Sequence, residues 1–280
     1  MWLTDMAYKR ILTVQDISCV GQCSMTVALP VLSACGHEVC ILPTAVLSTH
    51  TGGFQNPSVA HLTSSMADMR EHWKREKIDF DIIYTGYLGS IQAIREVEMI
   101  LDTLLAPGGT VVVDPAMADH GKLYKGFDSV YAEAMKKLCA RADVILPNIT
   151  EAAMMAGLDI RQTYDSGYIQ DLLERQPCSK VLLTGVGFDE NQTGFALRSE
   201  TGIRVAHHQR LEKNYHGTGD LFAAAFVGAL ASGFEEFEAG KIASSFTLKS
   251  IQNTAAAPAH WYGVKFEPVL GDLIDMLKIK

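Results

Sequence analysis

Short runs of β-branched and other apolar residues recur along this chain, each followed by a stretch whose apolar residues repeat at helical spacing. That alternation limits the possible folds more than any other feature. Parallel strands must be joined by crossovers of a dozen or more residues, usually helices, and strands as apolar as Val111-Val112-Val113 need cover on both faces. The expected strands are Arg10–Val14, Glu38–Leu42, Asp81–Tyr84, Thr110–Val113, Val144–Leu146 and Lys180–Leu183. The expected helices are Ser24–Ala34, Val59–Lys77, Ser90–Leu105, Ser129–Ala140, Thr150–Ala156, Gly167–Arg175, Asp220–Ser232, Phe237–Gln252 and Glu267–Lys278. Thr193–Arg198 and Ile203–His208, separated by a four-residue turn, read as an antiparallel pair at one edge.

No Pro/Gly/Ser-rich linker and no fixed-period repeat divides the chain. The expected architecture is therefore one α/β domain over residues 1–280: a doubly wound, mostly parallel sheet with helices on both faces and antiparallel edge strands. Ligands of such sheets bind beyond the carboxyl ends of the strands. That rule selects Gln15-Asp16, Pro43-Thr44, Thr85-Gly86-Tyr87, Asp114-Pro115, Pro147-Asn148 and Thr184-Gly185.

Charge narrows the partners. Twenty-four Lys and Arg against 32 Asp and Glu leave a net charge of −8. Such a chain has no general attraction for nucleic acid or anionic lipid, so any phosphate must be gripped locally. The amino-terminal residues lack the pattern of a signal peptide, and the uncharged stretch Ile17–Gly36 is too polar for a spanning helix, which gives a cytoplasmic expectation. The six cysteines have no metal-site spacing.

His216-Gly217-Thr218-Gly219-Asp220 carries the sharpest chemistry. Glycines before a helix let free N–H groups converge, and the helix dipole makes the spot an anion hole. A carboxylate at its mouth would repel a bound phosphate. It makes sense as a base that deprotonates an alcohol attacking a phosphoryl group. A tight turn with a favourable first-turn acid explains the same letters. Asn148 with Glu151 suits either Mg²⁺ held through water or a capping box. Asp114 and Asp119 share a post-strand loop that suits a cation or plain solvent, and Ser48–Phe54 suits a flap over a small polar ring or a simple connection. No Walker-type loop is present. The Gly-x-Gly is not the first strand–helix turn, which disfavours a nicotinamide dehydrogenase.

The order of Val14-Gln15-Asp16, Thr49-His50-Thr51-Gly52, Thr85-Gly86-Tyr87, Asp114-Pro115, Pro147-Asn148-x-x-Glu151, Leu183-Thr184 and Gly217-Thr218-Gly219-Asp220-Leu221-Phe222 resembles the ribokinase-like superfamily, and within it the pyridoxal (vitamin B6) kinases. The resemblance implies transfer of the ATP γ-phosphoryl group to the 5′-hydroxymethyl of pyridoxal, pyridoxine or pyridoxamine. It implies Asp220 as base and Gly217, Thr218 and Gly219 as anion hole. Asp114, Asn148, Glu151, Thr184 and Gly185 would serve ATP, and Asp16, Thr51, Tyr87 and Asp220 the B6 substrate. Glu151 and Asp119 would attend Mg²⁺. A monovalent cation such as K⁺ and a homodimer are also implied, and Arg210 or Lys213 in a lid would reach phosphates.

Asp16 departs from the family, where serine commonly follows the glutamine. A carboxylate there turns attention to amine-bearing substrates, including the aminopyrimidine of hydroxymethylpyrimidine kinases, although those enzymes commonly have cysteine where Asp220 stands. A catalytically weak B6-binding protein of the same fold is a further alternative.

Overall fold

Ile11, Leu12 and Val14 are fully excluded from solvent, as an apolar strand with parallel neighbours on both sides must be. The computed structural model describes residues 8–211, 215–257 and 259–278. In chain order the elements are β1 (Arg10–Ser18), α1 (Met25–Ala34), β2 (Glu38–Leu47), β3 (Val59–His61), α2 (Thr63–Arg75), β4 (Phe80–Thr85), α3 (Ile91–Leu104) and β5 (Leu105–Val113). There follow β6 (Ala118–Asp119), β7 (Lys122–Leu123), α4 (Ser129–Cys139), β8 (Val144–Ile145), α5 (Ile149–Ala156), α6 (Ser166–Glu174), β9 (Lys180–Thr184), β10 (Gln192–Ser199) and β11 (Gly202–Gln209). The chain continues with α7 (Thr218–Ala231), α8 (Glu236–Ala255), a 3-10 turn (Glu267–Val269) and α9 (Leu270–Leu277).

Nine strands form one sheet in the order β11-β10-β9-β8-β5-β4-β1-β2-β3. β1, β2, β4, β5, β8 and β9 run parallel, and β10, β11 and β3 are antiparallel. This is the expected α/β class with a ribokinase-like arrangement. β1 has β2 on one side and β4 on the other. Connections leaving in opposite directions open a crevice at the carboxyl edge between them. Two cores cover the sheet: residues of α2 to α6 pack on one face, and residues of α1, α7, α8 and α9 on the other. Among the described residues, no helix is long and apolar enough to cross a membrane.

Several boundaries differ from the sequence expectation, each for a local reason. Gln15-Asp16 lies inside β1 rather than after it. Gln15 pairs with Pro43 and Ile17 with Val46, so Thr44 and Ala45 of β2 stand opposite the single residue Asp16. Pro43 has no N–H to give the ladder, and the bulge that follows re-aims the strand end. The segment expected as a helix from Val59 begins instead as β3, which pairs with β2. Antiparallel strands therefore sit at both edges, not one. Backbone pairing of Phe80 with Leu105 carries Pro107-Gly108-Gly109 into β5, with a register irregularity. The β6–β7 hairpin has no periodic signal at two residues per strand. α7 starts at Thr218, so Asp220 is the third helical residue rather than the first.

Candidate active site

The carboxyl ends of β1, β4, β5, β8 and β9 present Gln15-Asp16, Gly86-Tyr87, Asp114, Asn148 and Thr184-Gly185 along one edge, and the amino end of α7 closes over it. Tyr84 of β4 feels the charges of both Asp114 and Asp220, which puts the α7 acid near the strand ends.

Gly217 caps α7 with φ 78°, and no side chain caps the first turn. Thr218 ties its hydroxyl back to the Tyr215 carbonyl at 3.3 Å, while among the described residues nothing stands within 4 Å of where a Gly219 side chain would be. The first-turn N–H groups of Thr218, Gly219 and Asp220 have no intrahelical acceptor. Burial pushes the Asp220 carboxyl up to about 6, the Ser24 N–H holds it down, and the charge of Asp16 raises it further. A carboxylate tuned to that range is a competent base near neutral pH.

Asp16 is 4% exposed. Burial raises its carboxyl, against the hydroxyls of Ser24 and Ser18 and the charge of His50; the Ser18 hydroxyl donates to Oδ2 at 3.1 Å. Tyr87 is half-buried, with its phenol raised by burial and by Asp16. Its ring stacks on Phe127 at 5.4 Å, and Phe127 stacks on Tyr131 at 3.7 Å. The charge of Asp16 thus reaches both Tyr87 and Asp220, and Phe127 and Tyr131 stack in series behind the Tyr87 ring.

On the other side of Asp220, both halves of a capping box are formed. The Asn148 carboxamide accepts from the Glu151 N–H at 2.9 Å, and Glu151 Oε2 accepts from the Asn148 N–H at 2.9 Å. Glu151 Oε1 accepts from the N–H groups of Met117 and Ala118 at 3.0 and 3.3 Å. The Asn148 amide donates to the Ala118 carbonyl at 2.8 Å. The cap is real, and it pins the loop after β5 to α5. It also leaves a 2%-exposed carboxylate that burial pushes up against those three N–H groups. Asp114 is raised well above the usual carboxylate range by burial, then by the charges of Glu151 and Asp220. Asn148 bridges to Thr184, whose hydroxyl donates to the Pro147 carbonyl at 3.4 Å. Gly185, at φ 76°, is exposed beside it.

Asp114 is repelled by both Glu151 and Asp220, and a divalent cation beside it would relieve that repulsion. Among the described residues no three His, Cys, Asp or Glu side chains form a metal-holding group. An ion here needs phosphate and water as ligands, the usual habit of Mg²⁺. Glu151 already accepts three N–H bonds, so it would act through water. Asp119 is not brought inward: its side chain is 53% exposed and accepts from the His120 N–H, although its charge still reaches Glu151.

Thr51 is exposed on the loop after β2. The neighbour that ties this loop down is His50, whose Nε2 meets the Tyr262 carbonyl at 2.6 Å and whose Nδ1 accepts from the Gly52 N–H at 3.0 Å. Its ring lies 5.3 Å from His216, and Phe54 lies 4.8 Å from Trp261. The flap is therefore fastened to the segment around residue 261 and to the approach to α7. The backbone N–H of Arg210 donates to the Asn191 carbonyl at 2.7 Å; Lys213 lies outside the described residues.

With this geometry in hand, residues 28–264 match the phosphomethylpyrimidine kinase family. The chain belongs to that family. A pyridoxal kinase from Lactobacillus plantarum is 33% identical, with a TM-score of 0.88 over 96% of this chain and 97% of that one. A Bacteroides thetaiotaomicron protein named for phosphomethylpyrimidine kinase, in a crystal form with pyridoxal, is 32% identical, with a TM-score of 0.88 over 95% of this chain and 96% of that one. The thiamine biosynthetic bifunctional enzyme of rice is 24% identical over 261 residues, which are 89% of this chain but 45% of that protein. The pyridoxal kinase family of ribokinase-like enzymes, a family of phosphotransferases, is thus the chain's own.

Two contributors escaped the sequence reading. Ser24 caps α1 at φ 51°, a left-handed conformation that is uncommon outside glycine and is often found at functional sites. That strain lets it serve Asp16 with its hydroxyl and Asp220 with its N–H. A serine ahead of an apolar run signals a helix start, but nothing in the letters signals the strain. His50 sat inside a motif, yet its partner Tyr262 is 212 residues away.

Proposed function

We propose that this protein is an ATP-dependent kinase that phosphorylates the 5′-hydroxymethyl group of pyridoxal, pyridoxine or pyridoxamine. The observation that carries it is Asp220: a carboxyl raised to about 6, set in the first turn of α7 after the Gly217 cap, within reach of the charge of Asp16. Phosphoryl transfer asks a protein mainly for positioning and charge stabilisation. Asp220 takes the proton from the substrate alcohol. The N–H groups of the Gly217–Gly219 turn receive the charge that develops on the transferred phosphoryl group. Asp16 and Tyr87 hold the pyridine ring, with Thr51 on the flap above. Asn148, Thr184 and Gly185 line the nucleotide side. Mg²⁺, when bound, neutralises phosphate charge, with Asp114 and Glu151 as its protein partners and Asp119 outside them.

Asp16 favours one second possibility. A buried carboxylate suits the amine of a hydroxymethylpyrimidine as well as that of pyridoxamine. A panel of the three B6 alcohols and the aminopyrimidine alcohol, each with ATP and Mg²⁺ and scored by product mass, tests both. Product from B6 alcohols is expected. Product from the pyrimidine alone transfers the assignment, and none from any alcohol rejects it.

Further expectations go with this assignment: one kinase domain over residues 1–280, a cytoplasmic homodimer, and stimulation by K⁺. Sedimentation and activity in K⁺ against choline buffers check the last two.

A further inference from the structure

Tyr164 stands one residue before Asp165, the cap of α6, whose carboxylate accepts from the Tyr168 N–H at 2.9 Å. The helix start therefore fixes where the Tyr164 backbone sits. Its ring centroid is 6.0 Å from that of Tyr168 and 6.5 Å from that of Phe188. The ring also packs against the core on the α2 to α6 face of the sheet. With ring and backbone both held, the phenol oxygen has a defined place.

That oxygen bridges two residues of the loop after β9. It donates to the Gly185 carbonyl and accepts from the Gly187 N–H, each at 3.2 Å. A phenol suits this double duty because it both donates and accepts. The loop, residues 185–191, joins β9 to β10. Backbone bonds hold its start: the Thr184 N–H donates to the Pro147 carbonyl at 2.9 Å, and the Val186 N–H to the Gly194 carbonyl at 3.1 Å. Gly185 lies between these two anchors. It is exposed, and among the described residues nothing stands within 4 Å of where its side chain would be. The peptide that follows it is pinned at its N–H by Gly194 and at its C=O by Tyr164. Among the described residues no other side chain bonds the backbone of residues 185–187. A glycine with an open side on a fixed peptide lets a ligand approach the backbone closely.

We propose that Tyr164 is a positioning residue for the nucleotide, acting through Gly185 by holding that residue's backbone in the orientation that meets ATP. This rests on the kinase assignment above, with Thr184 and Gly185 on the nucleotide side. Among the described residues the Tyr164 phenol bonds this loop and none of the crevice acids. Its loss should therefore be felt in binding of the nucleotide and not in the chemical step.

The test compares Tyr164→Phe with Tyr168→Phe. Both variants keep a ring and lose a phenol, but the Tyr168 O–H donates to the Asp159 carbonyl at 2.7 Å, away from the loop. Tyr164→Phe should raise KM for ATP about fivefold, the size of one neutral hydrogen-bonding partner lost. In that variant kcat and KM for the alcohol should stay at wild-type values. Mg-ADP titrated calorimetrically into each protein, with no alcohol present, should bind Tyr164→Phe about fivefold more weakly than wild type. Tyr168→Phe should leave both nucleotide readouts unchanged. An ADP affinity unaltered in Tyr164→Phe, or lost equally in both variants, would overturn the proposal, as would a fall in kcat at constant KM for ATP. A wild type that binds Mg-ADP but phosphorylates no alcohol sinks the kinase assignment alone, and the titration then still decides the role of Tyr164. A wild type without affinity for Mg-ADP removes both.

Discussion

The carbonyl oxygen of Gln22 occupies the place where a β-carbon on Gly217 would stand. The loop before α1 and the turn before α7 are thereby locked together at the amino end of α7, and Ser24, two residues beyond Gln22, directs its N–H at Asp220. Both the φ of 78° and this contact exclude a side chain. Gly217→Ala is expected to lower stability by at least about 1–2 kcal/mol from the backbone alone. It should also reduce turnover about 10²-fold or more, because the N–H donors shift. Thermal unfolding and steady-state kinetics measure the two effects; wild-type kinetics in this variant would contradict the anion hole.

Asp220 makes opposite demands on rate and stability as pH changes. The base works when ionised, so kcat should rise with pH through about 6 and level off above. In the unfolded chain the same carboxyl releases its proton near about 4. Between about 4 and 6 the folded state binds more protons, so this group's contribution to stability falls as pH rises across that window. Asp220→Asn removes the cost of the buried charge. It should melt higher than wild type at pH 8, keep ATP binding, and lose about 10²–10⁴ in turnover. A flat wild-type rate profile from pH 5 to pH 8 would count against the base.

Glu151 has a structural duty separable from any role at phosphate. Glu151→Ala leaves the N–H groups of Asn148, Met117 and Ala118 without their acceptor. The expected loss is at least about 2 kcal/mol, read by urea unfolding. Glu151→Gln keeps one accepting oxygen and should lose less. An alanine variant as stable as wild type would mean the box does not hold the post-β5 loop.

In the proposed reading, Asp16 sets the polarity around the substrate ring. Asp16→Ser exchanges a buried carboxylate for a hydroxyl, so preference for amine-bearing alcohols over pyridoxal should fall about tenfold in kcat/KM. Competition between pyridoxamine and pyridoxal in one reaction reads the ratio directly. An unaltered ratio would remove Asp16 from the ring-binding set.

Much was legible before any coordinates. The strand–helix alternation specified the parallel sheet because apolar periodicity is a local property of the chain. The edge rule put Tyr87, Asp114 and Asn148 just past their strands, since strand polarity puts every post-strand residue on one side, whereas Asp16 and Thr184 fall within β1 and β9. Local patterning failed where pairing between distant segments decided the outcome. The bulge that draws Asp16 into β1 depends on Pro43, β3 exists only because β2 offers an edge, and two-residue strands such as β6 have no period to detect.

Which residues can donate, accept or ionise was written in the sequence, because residue type fixes it. How each behaves was decided by tertiary structure alone. Burial raised Asp220 and Asp114, three backbone N–H groups occupied Glu151, and solvent kept Asp119. Each of these depends on what the fold brings within a few ångströms across tens or hundreds of residues, where the energy of a charge is set by water's exclusion rather than by its neighbours in the chain.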